Sequence, residues 1–309
     1  SIYYIPHKDL AFESVEYIMR NVDHGWLLRY THANGASIFF FCTYVHMGKA
    51  LYYQGFLKAR VWLAGILTLV LLMATAFTGY VLPWGQMSFW AATVILNFFT
   101  VVPLIGEHLV TFLFGNFSAS NPTLKRFFII HFLLGFLVGA SASLHIYFLH
   151  EKGSSIPVSE FYHDKEYFLP LFGEKDFFSL CLFGLGFTFL VCFHPTLFMH
   201  PVNFLKADPL VTPEHIVPEW YFLPFYTILR VIPNKTLGIL AMGCSIFVLA
   251  FLPFYNYLGF PKKVFTKDIY NFFFWSFIAT VLSLGFLCSR PVEPLYTLVG
   301  MFFGFYFFF

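Results

Sequence analysis

Long apolar runs dominate the chain and predict its secondary structure. Seven segments are mainly apolar over about the 20 residues that a helix needs to cross a bilayer, although the last one is shorter. They cover approximately residues 30–52, 62–82, 126–149, 177–198, 236–257, 269–289 and 294–309. Two long proline-containing loops, 83–125 and 199–235, separate some of these segments, and loops of that length are usually functional or ordered. The pattern predicts an all-α, polytopic transmembrane helical bundle, with short surface helices near 11–22 and 91–100.

The composition supports the membrane assignment and excludes several classes of protein. Hydrophobic residues make up 59% of the chain and charged residues only 11%, whereas soluble domains carry about 25% charged residues. The net charge of +2 leaves no polycationic surface, so nucleic acid is excluded as a partner. The five cysteines lie in apolar runs without a CxxC motif, which indicates small buried side chains rather than a disulfide or metal site.

Basic residues in the short loops predict the orientation of the chain in the membrane. The loop after the first span carries Lys49, Lys58 and Arg60 and no acidic residue. The loop after the fifth span carries three lysines against one aspartate. Both loops are therefore expected on the negative side of the membrane, according to the positive-inside rule.

Four histidines lie inside predicted spans, where ionisable residues are rare and usually functional. The first span carries His32 and His46, and the third carries His131 and His145, each pair 14 residues apart. Fourteen residues are close to four helical turns, so both members face one side, roughly 21 Å apart along the axis. If the two helices are antiparallel neighbours, the histidines form two bis-histidine ligand sets for two haems, one in each half of the bilayer.

Other interpretations of these histidines remain open from the residues alone. They could be structural core histidines, the proton relay of a transporter, or part of a purely structural membrane subunit. A transporter usually has an internal repeat and broken helices, which the sequence does not show, and it would not explain the equal spacings. Gly65 and Gly79 in the second span repeat the 14-residue spacing and would let a flat macrocycle approach that helix closely.

Five segments of the chain resemble one known family. GWLLRYTHANGAS, TGYVLPWGQMSFW, RFFIIHF, PEWYFLPFY and RPVEP are similar to mitochondrial cytochrome b, the core of ubiquinol–cytochrome c reductase (complex III). The resemblance covers almost the whole chain. The 14-residue spacing in the third span favours the respiratory form, because the chloroplast relative has one more residue there and is split after its fourth helix.

The resemblance implies an N-terminal haem-binding bundle in residues 1–176 and C-terminal helices with the PEWY loop in residues 177–309. The family has eight spans. Its first spanning helix, with the amphipathic segment before it, has no counterpart here, and its eighth helix is cut short. We expect either that the sequence is incomplete or that another polypeptide supplies the missing helix.

The resemblance also implies two non-covalently held b haems. His32 and His131 are expected to bind the low-potential haem near the positive side, and His46 and His145 the high-potential haem near the negative side. Cationic side chains are expected at the haem propionates, namely Arg29, Arg126 and Lys49. Ordinary snorkelling of these side chains at the membrane interface is the alternative.

Two quinone sites are implied at opposite sides of the membrane. Glu219 of the PEWY motif is expected to accept a proton from ubiquinol, with Tyr226 as a hydrogen-bonding wall. The inner quinone is expected near four polar residues, His150, Ser154, Lys175 and Asp176, although such loop residues are often only solvated. The implied reaction is ubiquinol oxidation, electron transfer through two haems, and quinone reduction, coupled to proton translocation.

The resemblance finally implies partners and a location. One quinol electron needs a separate high-potential acceptor, and the sequence shows no Cys/His cluster for an iron–sulfur centre. The expected partners are a Rieske iron–sulfur protein, a membrane-anchored c-type cytochrome and other complex III subunits. The assembly is expected to be a homodimer in the lipid bilayer of the mitochondrial inner membrane.

Overall fold

A computed structural model of the chain describes residues 2–154, 166–254 and 267–308, and within these ranges the fold is all-α. The helices in chain order are α1 (Ala11–Asn21), α2 (Gly25–Tyr52), α3 (Ala59–Val81), α4 (Gln86–Leu96), α5 (Gly106–Phe114), α6 (Asn121–Lys152), α7 (Gly173–Phe193), α8 (Leu223–Val231), α9 (Lys235–Phe251), α10 (Lys267–Cys288) and α11 (Pro294–Tyr306). The β-structure in these ranges is limited to an isolated bridge between Gly85 and Lys206. The predicted fold class is confirmed.

Each of the seven predicted spans corresponds to a helix, namely α2, α3, α6, α7, α9, α10 and α11. Five helical segments within the described ranges are long and apolar enough to cross a membrane: Ala59–Val81, Asn121–Glu151, Phe168–Phe193, Lys235–Phe254 and Asp268–Cys288. Helix α2 has 28 residues but is more polar, and α11 is apolar but has only 13 residues. The end of the predicted span 236–257 lies outside the described residues.

The N-terminal helices pack in two sets, one on α3 and one on α2. Helix α6 packs along the length of α3, α1 packs on the start of α2, and α7 packs on α2. The predicted boundary between the two parts of the chain, at residue 176, falls in the first turn of α7. Because α7 packs on α2, the fourth predicted span lies with the histidine-bearing helices.

The C-terminal helices α8, α9, α10 and α11 form a second packed group, with Ile228, Leu284 and Phe307 in its core. Several hydrogen bonds join this group, and the PEWY segment before it, to the N-terminal helices. The Trp62 indole donates to the carbonyl of Leu249 at 2.6 Å, and the Tyr44 hydroxyl donates to the carbonyl of Tyr221 at 2.6 Å. The second bond holds the PEWY segment against α2.

Contacts between loops show which helix ends lie together. The Lys58 ammonium, just after α2, donates to the Gly153 carbonyl just after α6, and Arg60 pairs with Glu151 at 3.3 Å. Helices α2 and α6 therefore end at the same side of the bundle and run parallel. The expectation that they are antiparallel is wrong, because a single helix of spanning length, α3, lies between them in the chain and returns it to its starting side.

Candidate functional site: two histidine pairs and the cavity beside one of them

The four intramembrane histidines face one another in two pairs. The ring centres of His32 and His131 are 6.0 Å apart with an angle of 72° between the planes. The ring centres of His46 and His145 are 6.1 Å apart with an angle of 77°. Two imidazole nitrogens that each lie about 2.0 Å from one metal ion place the ring centres roughly 6 Å apart. Each pair therefore has the separation that a single metal ion between two axial ligands needs.

Backbone carbonyls of α3 fix the orientation of the two α6 histidines. His131 Nδ1 lies 2.8 Å from the Thr75 carbonyl oxygen, and His145 Nδ1 lies 2.8 Å from the Val61 carbonyl oxygen. A carbonyl oxygen only accepts, so Nδ1 carries the hydrogen and Nε2 keeps its free lone pair. This arrangement is typical of metal-ligating histidines, whose second ring nitrogen donates to a backbone carbonyl or carboxylate.

Glycines on α3 make room for these rings. A Cβ at Gly79 would lie 2.8 Å from His131 Nδ1, and a Cβ at Gly65 would lie 3.1 Å from His145 Cε1. In the structure each glycine stands directly against an imidazole, so its first role is to seat the histidine. The spacing of 14 residues on α3 thus matches that of the histidines on α6, and the residues present fit two bis-histidine haems.

The three cations expected at the haem propionates lie in different surroundings. Arg29 is half-buried, one turn before His32, and lines a cavity beside it. Arg126 instead donates to the Phe112 carbonyl, and its guanidinium carbon lies 5.5 Å from the centre of the Phe112 ring, on α5. Lys49 is exposed, one turn after His46. Of the three, Arg29 is the cation that the structure places in a cavity with a histidine pair.

A cavity of about 390 Å³ brings Glu219 together with the His32–His131 pair, the outer pair; His46 and His145 form the inner pair. Its walls come from α1, α2, α3, α6 and the segment that runs from residue 198 to residue 221. They include His32, Gly79, Tyr80, His131, His200, Glu219 and Tyr221. Tyr226 is not part of this wall; it lies on α8, close to Arg230 and Cys288. The structure thus joins Glu219 to the histidine pair and leaves Tyr226 apart.

The Glu219 carboxyl is poised to exchange protons near neutral pH. Its burial raises the pKa to about 7, although a hydrogen bond from Tyr80 and the charge of Arg29 act in the opposite direction. A carboxyl with such a pKa can both take up and release a proton at physiological pH. Two residues after Glu219, the Tyr221 ring stacks on Phe40 with ring centres 4.0 Å apart, which holds the PEWY segment against α2.

Several residues of this cavity were not predicted from the sequence. Tyr80 directly follows Gly79, but adjacent residues of a helix point about 100° apart, so the position of Gly79 was no signal for it. His200 is an ionisable residue in the proline-rich loop, and Tyr221 closes the PEWY motif itself. The cavity face of α1, which includes Glu16 and Arg20, had no recognisable signal, because only the packing of α1 on α2 brings it there.

The residues expected around an inner quinone lie at the opposite end of the bundle. His150 is in the last turn of α6, Ser154 follows that helix, and Lys175 and Asp176 are in the first turn of α7. All four are exposed. Residues 155–165 between them lie outside the described residues, so this inner site stays a prediction.

Comparison with known proteins identifies relatives along nearly the whole chain. The family model "Cytochrome b/b6/petB" matches residues 1–153, and "Cytochrome b(C-terminal)/b6/petD" matches residues 206–308. Cytochrome b of Cyanidium caldarium is 50% identical over 100% of this chain and 81% of its own length. Cytochrome b of Dictyostelium discoideum is 50% identical over 98% of this chain and 78% of its own, and that of Rickettsia conorii is 48% identical over 100% and 79%.

A solved structure has the same architecture. A chain of the "Hyperthermophilic respiratory Complex III" superposes with a TM-score of 0.88 and 31% sequence identity, covering 99% of this chain and 82% of that one. The chain therefore belongs to the cytochrome b family.

Proposed function

We propose that the chain is the catalytic, haem-binding subunit of a respiratory complex III that oxidises ubiquinol on the positive side of the membrane. The observation that carries this proposal is the shared cavity, which has the His32–His131 pair on one wall and Glu219 on another. A quinol loses protons together with its electrons, so its oxidation requires an electron acceptor and a proton acceptor beside one space that can hold the quinol. The histidine pair, which would hold a redox group, and Glu219 meet this requirement.

Each histidine pair would hold one b haem between its imidazoles, with His131 and His145 presenting Nε2. His32 and His131 hold the low-potential haem, and His46 and His145 the high-potential haem. A bound haem supplies reversible one-electron transfer at a potential set by its axial ligands and surroundings. The chain itself fixes the imidazoles through the carbonyls of Thr75 and Val61 and seats them against Gly79 and Gly65. Arg29 supplies a positive charge for a haem carboxylate in the same cavity.

Glu219 takes one proton from the quinol hydroxyl that faces it. Its ionised form is available above a pH of about 7, and Tyr80 and Arg29 stabilise that ionised form. Because Glu219 is only half-buried, the proton can pass to water on the outer side. Tyr226 remains the proposed hydrogen-bonding group at the α8 side of this region.

The second quinone would bind at the opposite end, beside the His46–His145 pair. His150, Ser154, Lys175 and Asp176 lie at that end and are exposed to the aqueous phase from which protons must come. The two proposed sites lie on opposite sides of the bundle. Proton release at one and proton uptake at the other amount to net translocation across the membrane.

The proposed assembly contains further redox subunits. A quinol gives up two electrons, and the second needs a high-potential acceptor outside this chain. We assign that role to a Rieske iron–sulfur protein, followed by a membrane-anchored c-type cytochrome, within a homodimeric complex III that has other subunits as well. The proposed location is the mitochondrial inner membrane; because a Rickettsia relative is nearly as similar as the eukaryotic ones, cell fractionation is the direct test.

Optical spectra of the purified complex test the haem assignment. We expect a reduced-minus-oxidised spectrum with two b haems per chain in the wild type. His131→Leu should lose the outer haem and His145→Leu the inner one, while His108→Gln, at an exposed position on α5, should keep both. A wild-type complex without b haem would favour the transporter interpretation, and full haem content in His131→Leu would contradict the ligand assignment.

A further inference from the structure

Between the two histidine pairs, a third polar contact joins α3 to α6. Thr68 Oγ1 lies 2.7 Å from Ser141 Oγ. The Thr68 hydroxyl also donates to the Ala64 carbonyl at 2.8 Å. Since that bond uses the Thr68 hydrogen, Ser141 is the donor and Thr68 the acceptor. Ser141 is only 6% exposed, so its hydroxyl faces the helix interface rather than lipid.

This contact belongs to a regular seam. On α3 the three participating residues are Val61, Thr68 and Thr75, which are spaced seven residues apart, and their partners on α6 are His145, Ser141 and His131. Seven residues are about two helical turns, so the three α3 residues lie on one stripe that faces α6. The outer two contacts orient the histidine rings, and the middle one is a bond between two side chains.

The register of α3 on α6 matters to both histidine pairs. The rings are held by α3 carbonyls, and Gly65 and Gly79 must stand opposite them. A slide of α3 by one residue would replace each glycine by a neighbour that carries a Cβ. Inside a bilayer no hydrophobic driving force brings helices together, because lipid tails are as apolar as the side chains, so close packing at small residues and interhelical hydrogen bonds favour one register.

We propose that Thr68 and Ser141 are positioning residues that lock the register of α3 with α6 and thereby set the imidazole orientation in both histidine pairs. They act through the α3 carbonyls that the histidines bind. The inference rests on the proposed function in one respect: the test reads the imidazole orientation from haem that the histidines bind. It predicts that one mid-membrane hydrogen bond influences two sites on either side of it.

The test uses low-temperature electron paramagnetic resonance of the purified oxidised complex, because the g-values of a low-spin bis-histidine haem depend on the angle between the imidazole planes. Thr68→Val removes the acceptor at nearly constant volume, and Ser141→Ala removes the donor. We expect both haem signals to shift or broaden in each variant. The double variant should behave like either single one, because the bond is already lost.

Two further variants separate this role from a general effect of losing a hydroxyl. Thr68→Ser keeps the acceptor and should retain the wild-type signals. Ser143→Ala is the matched control on α6, since the Ser143 hydroxyl is exposed and donates at 3.0 Å to Gly139 within the same helix. It should leave both signals unchanged.

The outcomes distinguish this inference from the function on which it rests. A wild-type complex without two bis-histidine signals would overturn the proposed function. Two normal signals that persist in Thr68→Val and Ser141→Ala would overturn the positioning role alone. If those variants do not assemble, Thr68→Ala is compared with Thr68→Ser: the serine variant must assemble with wild-type signals where the alanine variant does not, and equal behaviour of the two contradicts the proposal.

Discussion

At the scale of single residues, the absence of a side chain at Gly79 makes room for the His131 ring. The Cβ of an alanine at Gly79 would lie 2.8 Å from His131 Nδ1, closer than side chains pack, so the ring or the helix must move. The Cβ of an alanine at Gly65 would lie 3.1 Å from the His145 ring, so a smaller displacement of the ring or the helix would relieve the contact. The two pairs therefore differ in how tightly α3 encloses them.

We predict that Gly79→Ala lowers the outer haem content more than Gly65→Ala lowers the inner one. Overpacking of a close contact costs about 1–3 kcal/mol, which weakens binding by roughly one to two orders of magnitude. Gly186→Ala on α7, where an added Cβ has no neighbour within 4 Å, is the control. Haem content by absorbance is the measurement, and equal occupancy in all three variants would contradict the seating role.

The pKa of the Glu219 carboxyl predicts how the rate of quinol oxidation depends on pH. Burial raises its pKa to about 7. A base must be ionised to accept a proton, so quinol oxidation should be slow at pH 6 and should rise as the pH passes through about 7. Glu219→Gln should lower the rate by about one to two orders of magnitude, at the low end of acid–base contributions, and flatten this rise.

The matched control for this prediction is Glu214→Gln, five residues earlier in the same loop. The Glu214 side chain is 91% exposed and does not line the cavity. It should keep the wild-type rate and pH profile. A Glu219→Gln complex with intact haem spectra and an unchanged rise between pH 6 and pH 8 would show that another group or water accepts the proton.

At the scale of elements, Arg230 ties α8 to the end of α10. Its guanidinium donates to the Cys288 carbonyl at 3.0 Å and the Leu287 carbonyl at 2.7 Å. The last carbonyls of a helix have no α-helical partner, so a side chain from another helix can supply them with hydrogen bonds. Because α8 directly follows the PEWY segment, this contact also anchors the loop that carries Glu219.

We predict that Arg230→Met destabilises the C-terminal helices by about 1.5–3 kcal/mol, the contribution of hydrogen bonds to a charged group. Arg290→Met is the control, because that guanidinium carbon lies 4.2 Å from the centre of the Phe286 ring at an exposed position, a contact worth about 0.5–1 kcal/mol. Thermal denaturation of the purified complex measures both. Equal losses in the two variants would contradict the anchoring role of Arg230.

At the scale of the whole molecule, the parallel course of α2 and α6 places the two histidine pairs at different depths. Fourteen residues of helix separate them by roughly 21 Å, within a hydrocarbon core of about 30 Å. Glu219 shares the cavity of one pair, and the exposed polar residues at the end of α6 lie beyond the other. The two ends of the bundle therefore carry different side chains, the carboxyl of Glu219 in a cavity at one end and exposed polar residues at the other.

We predict that quinol–cytochrome c reductase activity requires partner subunits with an iron–sulfur centre and a c-type haem. Purified active material should contain both, by electron paramagnetic resonance and by covalent haem staining. The Glu219→Gln complex is the control, since it should contain every partner and still turn over slowly. Full activity of the isolated chain would contradict the assembly.

The spans, the helical fold and the four histidines as candidate haem ligands could be predicted from the sequence alone. In a bilayer, a backbone without water must satisfy its hydrogen bonds internally, so a long apolar run becomes a helix with little competition. The spacing of 14 residues follows from helical periodicity, which is a local property. The PEWY motif around Glu219 was recognised through its resemblance to the family, although nothing local showed which groups surround its carboxyl.

Only the tertiary structure decided how these elements meet. It showed that α2 and α6 are parallel and that Gly79 lies against the His131 ring. It also showed that Arg126 contacts Phe112 and that Tyr80 and Arg29 lie close to Glu219. Each of these facts depends on the rotation and register of one helix against another. Side-chain spacing within a helix does not encode that register; it is set by interhelical contacts such as the bond between Thr68 and Ser141, which join residues far apart in the chain.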